Sequence, residues 1–260
     1  MMGKNQIILI FSLLLVQTRA VSQASHFHLN AHAHNDYKHP RPLIDALQNG
    51  FTSVEADLHL KKGKLVLAHI RADAQSPLLE KLYLIPLDSI LQKRNFVYKG
   101  TKPFLLMIDI KTDGEETFRS LQKLLSSYKR LLCAPERCPI KIFLSGNRPI
   151  ATIMKEGYQG IAIDGRPDDV GKGYSADMMP VISDHYKNWC GWNGRGELKP
   201  KYLYRIQELA KRVHTEGKKL RLWAIPDNER AWEALLNAGV DLINTDKLEK
   251  LNSFLMKKGL

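Results

Sequence analysis

The chain is predicted to fold as a single (β/α)8 barrel. Three observations carry that expectation: apolar strand-length runs alternate with helical patterns, about eight such units follow one another, and the 260 residues are the right length for one barrel. Near-continuous apolar strands imply a parallel sheet buried on both faces. An open doubly wound sheet is the other architecture with this alternation, but no Gly-x-Gly-x-x-Gly follows the first strand.

The elements are read by period, strands from short apolar runs and helices from apolar positions three and four apart. Strand 29–34 comes first, then helix 42–49 stopped by Gly50. Strands 53–60 and 65–69 follow, joined by the turn Lys61-Lys62-Gly63-Lys64. Strand 104–110 precedes helix 115–132, with Phe118, Leu121, Leu125, Tyr128 and Leu132 on one side. Strands 140–144, 160–163 and 180–183 come next. Helix 201–216 has Leu203, Ile206, Leu209 and Val213 on one side and Gly217 at its end. Strand 220–225, helix 229–238, strand 241–244 and helix 248–257 complete the chain.

Residues 1–24 read as a secretory signal peptide. Lys4 precedes the apolar run 7–16, and Ser22-Gln23-Ala24 supplies small residues at a cleavage site. The run is too short to span a bilayer comfortably. Residues 25–260 would then be the barrel domain, exported to a periplasm or the outside. Three Cys are too few for a disulfide scaffold; Cys133 and Cys138 flank a short loop and can pair, leaving Cys190 free.

Composition is that of a globular protein, with 44% hydrophobic and 25% charged residues, which excludes collagen-like and disordered classes. The net charge of +12 points to anionic partners without choosing among them. No zinc-finger or helix-turn-helix signature accompanies it, so nucleic acid is not expected. The basic residues of helix 201–216 fit a solvated face, and peripheral contact with an anionic membrane is the more natural reading.

The chemistry is concentrated at strand ends, where barrel active sites lie. The first strand ends in His32-Ala33-His34, the second carries Glu55-Ala56-Asp57, and the hairpin strand ends in His69. Later strands end in Asp109-Ile110-Lys111 and Thr245-Asp246. Residues i and i+2 share a strand face, so Glu55, Asp57 and Asp109 are expected to converge. Three such carboxylates repel one another unless a cation joins them, and an oxygen-only ligand set favours Ca²⁺ or Mg²⁺. His34 and His69 beside that cluster make a general acid/base pair. The stretch 187–200, with Trp189 and Trp192, is either a lid over the barrel mouth or an ordinary loop with buried tryptophans.

The segments Ala33-His34-Asn35-Asp36-Tyr37, Gly50-Phe51-Thr52-Ser53-Val54-Glu55-Ala56-Asp57 and Leu67-Ala68-His69 together resemble the superfamily of phosphatidylinositol phospholipase C-like and glycerophosphodiester phosphodiesterases. Within it, the nearest branch is the one named after altered inheritance of mitochondria protein 6, which Leu82-Tyr83-Leu84-Ile85-Pro86-Leu87 also resembles. Asp109-Ile110-Lys111, Trp223 and Gly239-Val240-Asp241-Leu242-Ile243-Asn244-Thr245-Asp246 are similar to the later strands of that superfamily. The resemblance implies a phosphoric diester hydrolase acting on a small-molecule or lipid substrate, glycerophosphodiester- or phosphoinositide-like. His34 and His69 would be its catalytic pair and Glu55, Asp57 and Asp109 its metal ligands. Lys111 would face the phosphate, Trp223 would wall the alcohol side, and Asn35 would contact substrate.

The sequence departs from the superfamily pattern in three places. His34-Asn35-Asp36 stands where many members have His-Arg-Gly, so a phosphate-binding Arg is missing, and Arg71 is the expected replacement. Ile70 follows the second His where Asp is common. Asp109 stands where Glu is usual. Two rival readings remain: an amidohydrolase-like transition-metal site built from His32, His34, His185 and Asp246, and a non-catalytic binding barrel.

Overall fold

The computed structural model describes residues 26–100, 102–134, 136–156 and 160–260. The signal-peptide expectation lies outside the described residues. Strands β1 (His28–Ala33), β2 (Phe51–Lys61), β4 (Phe104–Ile110), β5 (Ile140–Gly146), β6 (Ile161–Gly165), β7 (Val181–His185), β8 (Lys219–Trp223) and β9 (Leu242–Thr245) pair in parallel, and β1 closes the ring on β2. The ninth strand, β3 (Lys64–Leu67), folds back antiparallel on the outer end of β2. This is the predicted eight-stranded barrel.

Helices α1 (Ile44–Gln48), α2 (Ile85–Arg94), α3 (Gly114–Leu125), α4 (Ile150–Glu156), α5 (Pro200–Thr215), α6 (Glu229–Asn237) and α7 (Leu248–Lys258) lie outside the ring. None is long and apolar enough to cross a membrane. The main core fills the space between helices and strands, with Phe51, Leu58, Leu121, Leu144, Leu220 and Trp232 essentially solvent-free. A separate apolar plug of Leu105, Met107, Phe143, Ala162, Val181 and Leu242 fills the barrel itself. Above the plug the interior turns polar: His32, Ser53, Glu55, Ser145, Asp164, Ser183, Arg221 and Asn244 are all buried. Strand alternation accounts for both layers, since the residue two places on along a strand is the next one to face inward.

The expected helix over 115–132 ends at Leu125, and a short 3-10 turn, Lys129–Leu131, replaces its last part. Ser126 marks the break, its hydroxyl bonding back to the Lys123 carbonyl. Helices α2 and α4 are absent from the sequence reading. Pro86 obscures the first, yet it sits at the second residue of α2, where the hydrogen-bond pattern is already interrupted by the preceding turn. A π-turn, Glu80–Leu84, runs directly into α2. Cys133 and Cys138 are joined as a disulfide and Cys190 is buried and free. The stretch 187–200 is a packed loop: Trp192 is 8% exposed and donates to the Arg195 carbonyl, and Trp189 donates to Asp184. The lid alternative finds no support in that packing.

Candidate active site

The three predicted acids meet at the C-terminal end of the barrel. Asp57 on β2 lies directly opposite Asp109 on β4 in the parallel register, and Glu55 sits two residues earlier on the same face of β2. One oxygen from each of Glu55, Asp57 and Asp109 falls within 4.8 Å of the others. Gly146 at the end of β5 makes this possible: its φ is +66°, and a Cβ there would stand 2.1 Å from Asp109 Oδ1.

Two cations are already committed to these acids. Lys111 Nζ lies 2.8 Å from Asp109 Oδ2 and 3.2 Å from Asp57 Oδ1. Arg221 reaches across the barrel from β8 and donates to Glu55 Oε2 at 2.6 Å and to Asn244 at 3.0 Å. Burial pushes the Glu55 pKa up, but Arg221 and the hydrogen bond from His32 win and hold it down at about 2. Burial raises the Asp109 pKa, and the Lys111 ammonium offsets only part of the effect. His32 lies deeper than the acids, between Ser53 and Glu55; burial and then Arg221 lower its pKa to about 4, so it is neutral.

The donor set fits a hard divalent cation. All three groups are carboxylates; the buried Oδ1 of Asp109 has no hydrogen-bond donor, and that of Asp57 has only the Lys111 ammonium at 3.2 Å. Three negative charges against two directly paired cations leave one in excess. A divalent ion converts that to one positive charge, the complement of a singly charged phosphodiester.

Both predicted histidines flank the cluster, each fixed by a carboxylate. His34 Nδ1 donates to Asp246 Oδ1 at 2.8 Å, and His69 Nδ1 donates to Asp57 Oδ2 at 2.8 Å. The expected hairpin strand stops at Leu67, but Ala68 N bonds the Asp57 carbonyl and holds His69 in place. Tyr37 donates to the same Asp57 oxygen at 2.9 Å. Desolvation lowers the His34 pKa, but the Asp246 hydrogen bond and the charge of Glu55 outweigh it, and the net shift is upward. Nδ1 is therefore committed to a carboxylate on both rings, and Nε2 is the nitrogen that no carboxylate holds.

A cavity of about 460 Å³ opens over this arrangement, lined by His34, Glu55, His69, Asp109, Lys111 and Trp223 among others. Two of the expected substrate-binding residues do not reach its wall. Asn35 is buried, with its amide 3.1 Å from His34 Nε2. Arg71 is exposed outside the cavity. The guanidinium groups on the wall are Arg221 and Arg166 instead. Arg166 follows β6, pairs with buried Asp164 at 2.8 Å and lies 5.2 Å over the Trp223 ring. The sequence reading missed both. The signal for Arg221 was a charged residue inside an apolar strand, sharing a face with Trp223; Arg166 stands just past a strand end, two residues after Asp164.

The amidohydrolase-like alternative is not assembled. Among the described residues, the metal-compatible group is the three-acid cluster, while His32 is spent on Ser53 and Glu55 and His185 accepts from Lys187 N.

Residues 22–159 match the AIM6-like phosphodiesterase domain, and 219–249 match the glycerophosphoryl diester phosphodiesterase family. Altered inheritance of mitochondria protein 6 of Eremothecium gossypii is 27% identical, over 86% of this chain and 68% of that protein. The protein of the same name from Kluyveromyces lactis is 24% identical, over 86% of this chain and 72% of that protein. Among solved structures, a calcium-dependent phosphoinositol-specific phospholipase C from a Pseudomonas species superposes with a TM-score of 0.54 at 10% identity, covering 88% of this chain and 89% of that one. That likeness concerns the fold. The family match spans more than half of the chain and contains both histidines and all three acids, so the chain belongs to the AIM6-like phosphodiesterase family.

Proposed function

We propose that this chain hydrolyses phosphodiesters of glycerophosphodiester or phosphoinositide type, with a divalent cation held by Glu55, Asp57 and Asp109 and with His34 and His69 as its acid/base pair. The observation that carries the reading is the double use of Asp57, which joins the carboxylate cluster and also orients His69. Ca²⁺ and Mg²⁺ are the ions that oxygen-only donors favour, and the Pseudomonas phospholipase C is itself described as calcium-dependent. When bound, the ion supplies Lewis-acid stabilisation of charge building on the phosphoryl oxygens.

The side chains account for the rest. Arg221 holds Glu55 ionised, Lys111 bridges Asp57 and Asp109, and Arg166, beside Trp223, adds positive charge to the wall where the diester would lie. One imidazole takes a proton from water or a neighbouring substrate hydroxyl through Nε2. The other returns one to the leaving alkoxide; the carboxylate behind each ring orients it, and Asp246 also stabilises the charged form of His34. Export is part of the same proposal, supported by Lys4, the apolar run 7–16 and Ser22-Gln23-Ala24. A mature N-terminus at Ser25 in secreted material tests it.

The purified chain should hydrolyse bis(p-nitrophenyl) phosphate or a member of a glycerophosphodiester panel with Ca²⁺ or Mg²⁺, and lose that activity in chelator. His34→Ala should slow the reaction on the order of 10²- to 10⁴-fold. No turnover with Ca²⁺, Mg²⁺, Mn²⁺ or Zn²⁺ would favour a binding barrel, and full activity in His34→Ala would remove it from the reaction.

A further inference from the structure

The opposite mouth of the barrel carries a second concentration of charge that the diester site does not use. A cavity of about 350 Å³ lies there, lined by Lys102, Lys141, Lys218 and Lys219 and reaching up to Leu105 of the apolar plug. These lysines come from the N-terminal ends of β4, β5 and β8, so the ring closure itself brings them together.

Two of the four are buried with acids beside them. Lys218 pairs with Glu216, and Lys141 lies 3.0 Å from Asp177, whose side chain is 86% exposed. Lys219 is half-buried, and no hydrogen bond or ion pair to its ammonium group is seen among the described residues. The nearest acid lining the cavity, Asp241, is taken up by His214 Nε2 and Leu220 N, each at 2.7 Å. Burial, only partly offset by Asp241, lowers the Lys219 pKa, and the charge of Lys102 lowers it further. Two like charges facing one cavity, exposed Lys102 and half-buried Lys219, are relieved by an anion, and lysine ammonium groups bind phosphate as point charges.

We propose that the N-terminal mouth of the barrel binds a small phosphate-bearing anion, independently of the diester site at the other end. The group recognised is a phosphate, whether on a soluble molecule or on a lipid headgroup. The position favours the soluble form, because a membrane held against this mouth would turn the acidic cluster away from it.

The test is calorimetric titration of inorganic pyrophosphate into the full chain in metal-free, low-salt buffer. One-to-one binding is expected. Lys102→Gln/Lys219→Gln should weaken it at least about tenfold, and Lys111→Gln, at the other mouth, should leave it within about twofold. Lys102→Glu, at an exposed residue, serves as the second variant if the double variant does not fold, and it too should weaken binding. The proposal is overturned if the mouth variants bind as tightly as the parent, if Lys111→Gln alone abolishes binding, or if no binding is seen up to about 10 mM. A parallel titration with phosphatidylglycerol vesicles separates the sources. Lysine-dependent binding to vesicles without pyrophosphate binding would overturn the small-anion assignment.

Discussion

Asp246 holds the His34 ring by Nδ1 and offsets the desolvation that burial imposes on the imidazolium. The folded pKa lies above the ordinary 6.5, so the contribution of His34 to stability is fully present below that value. It is lost as pH rises through the folded pKa. Asp246→Asn should lower the His34 pKa in an NMR titration and slow diester hydrolysis on the order of 10²-fold. An unchanged titration would show that the pair does not set the proton affinity. Asp36, two residues along, shifts in the same direction, but from burial rather than from a charged partner. It is buried and accepts from Tyr83 OH at 2.7 Å and Leu43 N at 2.6 Å, yet burial raises its pKa from 3.8 to about 6. The folded state then holds the proton more tightly, so stability falls as pH rises from about 4 to 6, by about 3 kcal/mol for this group. Denaturation across that window should show the decline in the parent chain and a flatter profile in Asp36→Asn. Parallel curves would exclude Asp36 as the source.

The elements that build the site are joined at points of close approach. The π-turn before α2 delivers Tyr83 to Asp36, which in turn bonds the backbone of the 35–43 loop beside His34. The segment Leu82-Tyr83-Leu84-Ile85-Pro86-Leu87 therefore serves the site by buttressing that loop rather than by touching the cavity. Gly146 does the corresponding work at the end of β5. Gly146→Ala would force a Cβ against Asp109 Oδ1 and the Ile110 carbonyl in a left-handed conformation. Backbone strain alone costs about 1–2 kcal/mol, and displacement of Asp109 should weaken divalent-ion binding as well. Calorimetry with Ca²⁺ and Mg²⁺ on the folded variant checks this, and parent-like affinity would show that Asp109 tolerates the displacement.

Across the whole molecule, Arg221 ties β8 to β2 through the middle of the barrel, with only 3% of its side chain exposed. Arg221→Met would leave Glu55 as a buried, uncompensated charge beside a neutral His32, which costs about 3–5 kcal/mol. Adding Glu55→Gln should recover much of the loss. Denaturant unfolding of the single and double variants measures both, and equal stability of parent and single variant would show that the bridge is dispensable.

Periodicity and chain length together pointed to the barrel, because most strands are apolar runs and α3, α5, α6 and α7 each bury one apolar side. Glu55-Ala56-Asp57 and Asp109-Ile110-Lys111 were legible as a site because two-residue spacing at a strand end admits one facing direction. The histidines were legible for the same reason. Arg221 and Arg166 were not, since local sequence does not say which strand stands across a closed ring. Arg71 was expected on the wall as the replacement for the Arg missing after His34, but the chain leaves the barrel after β3 and Arg71 is exposed outside the cavity. Strand direction and burial pattern are local properties that the sequence determines by itself. Which charges meet, Arg221 with Glu55 at one mouth and four lysines at the other, was decided only when ring closure brought distant strands within hydrogen-bond and Coulomb range.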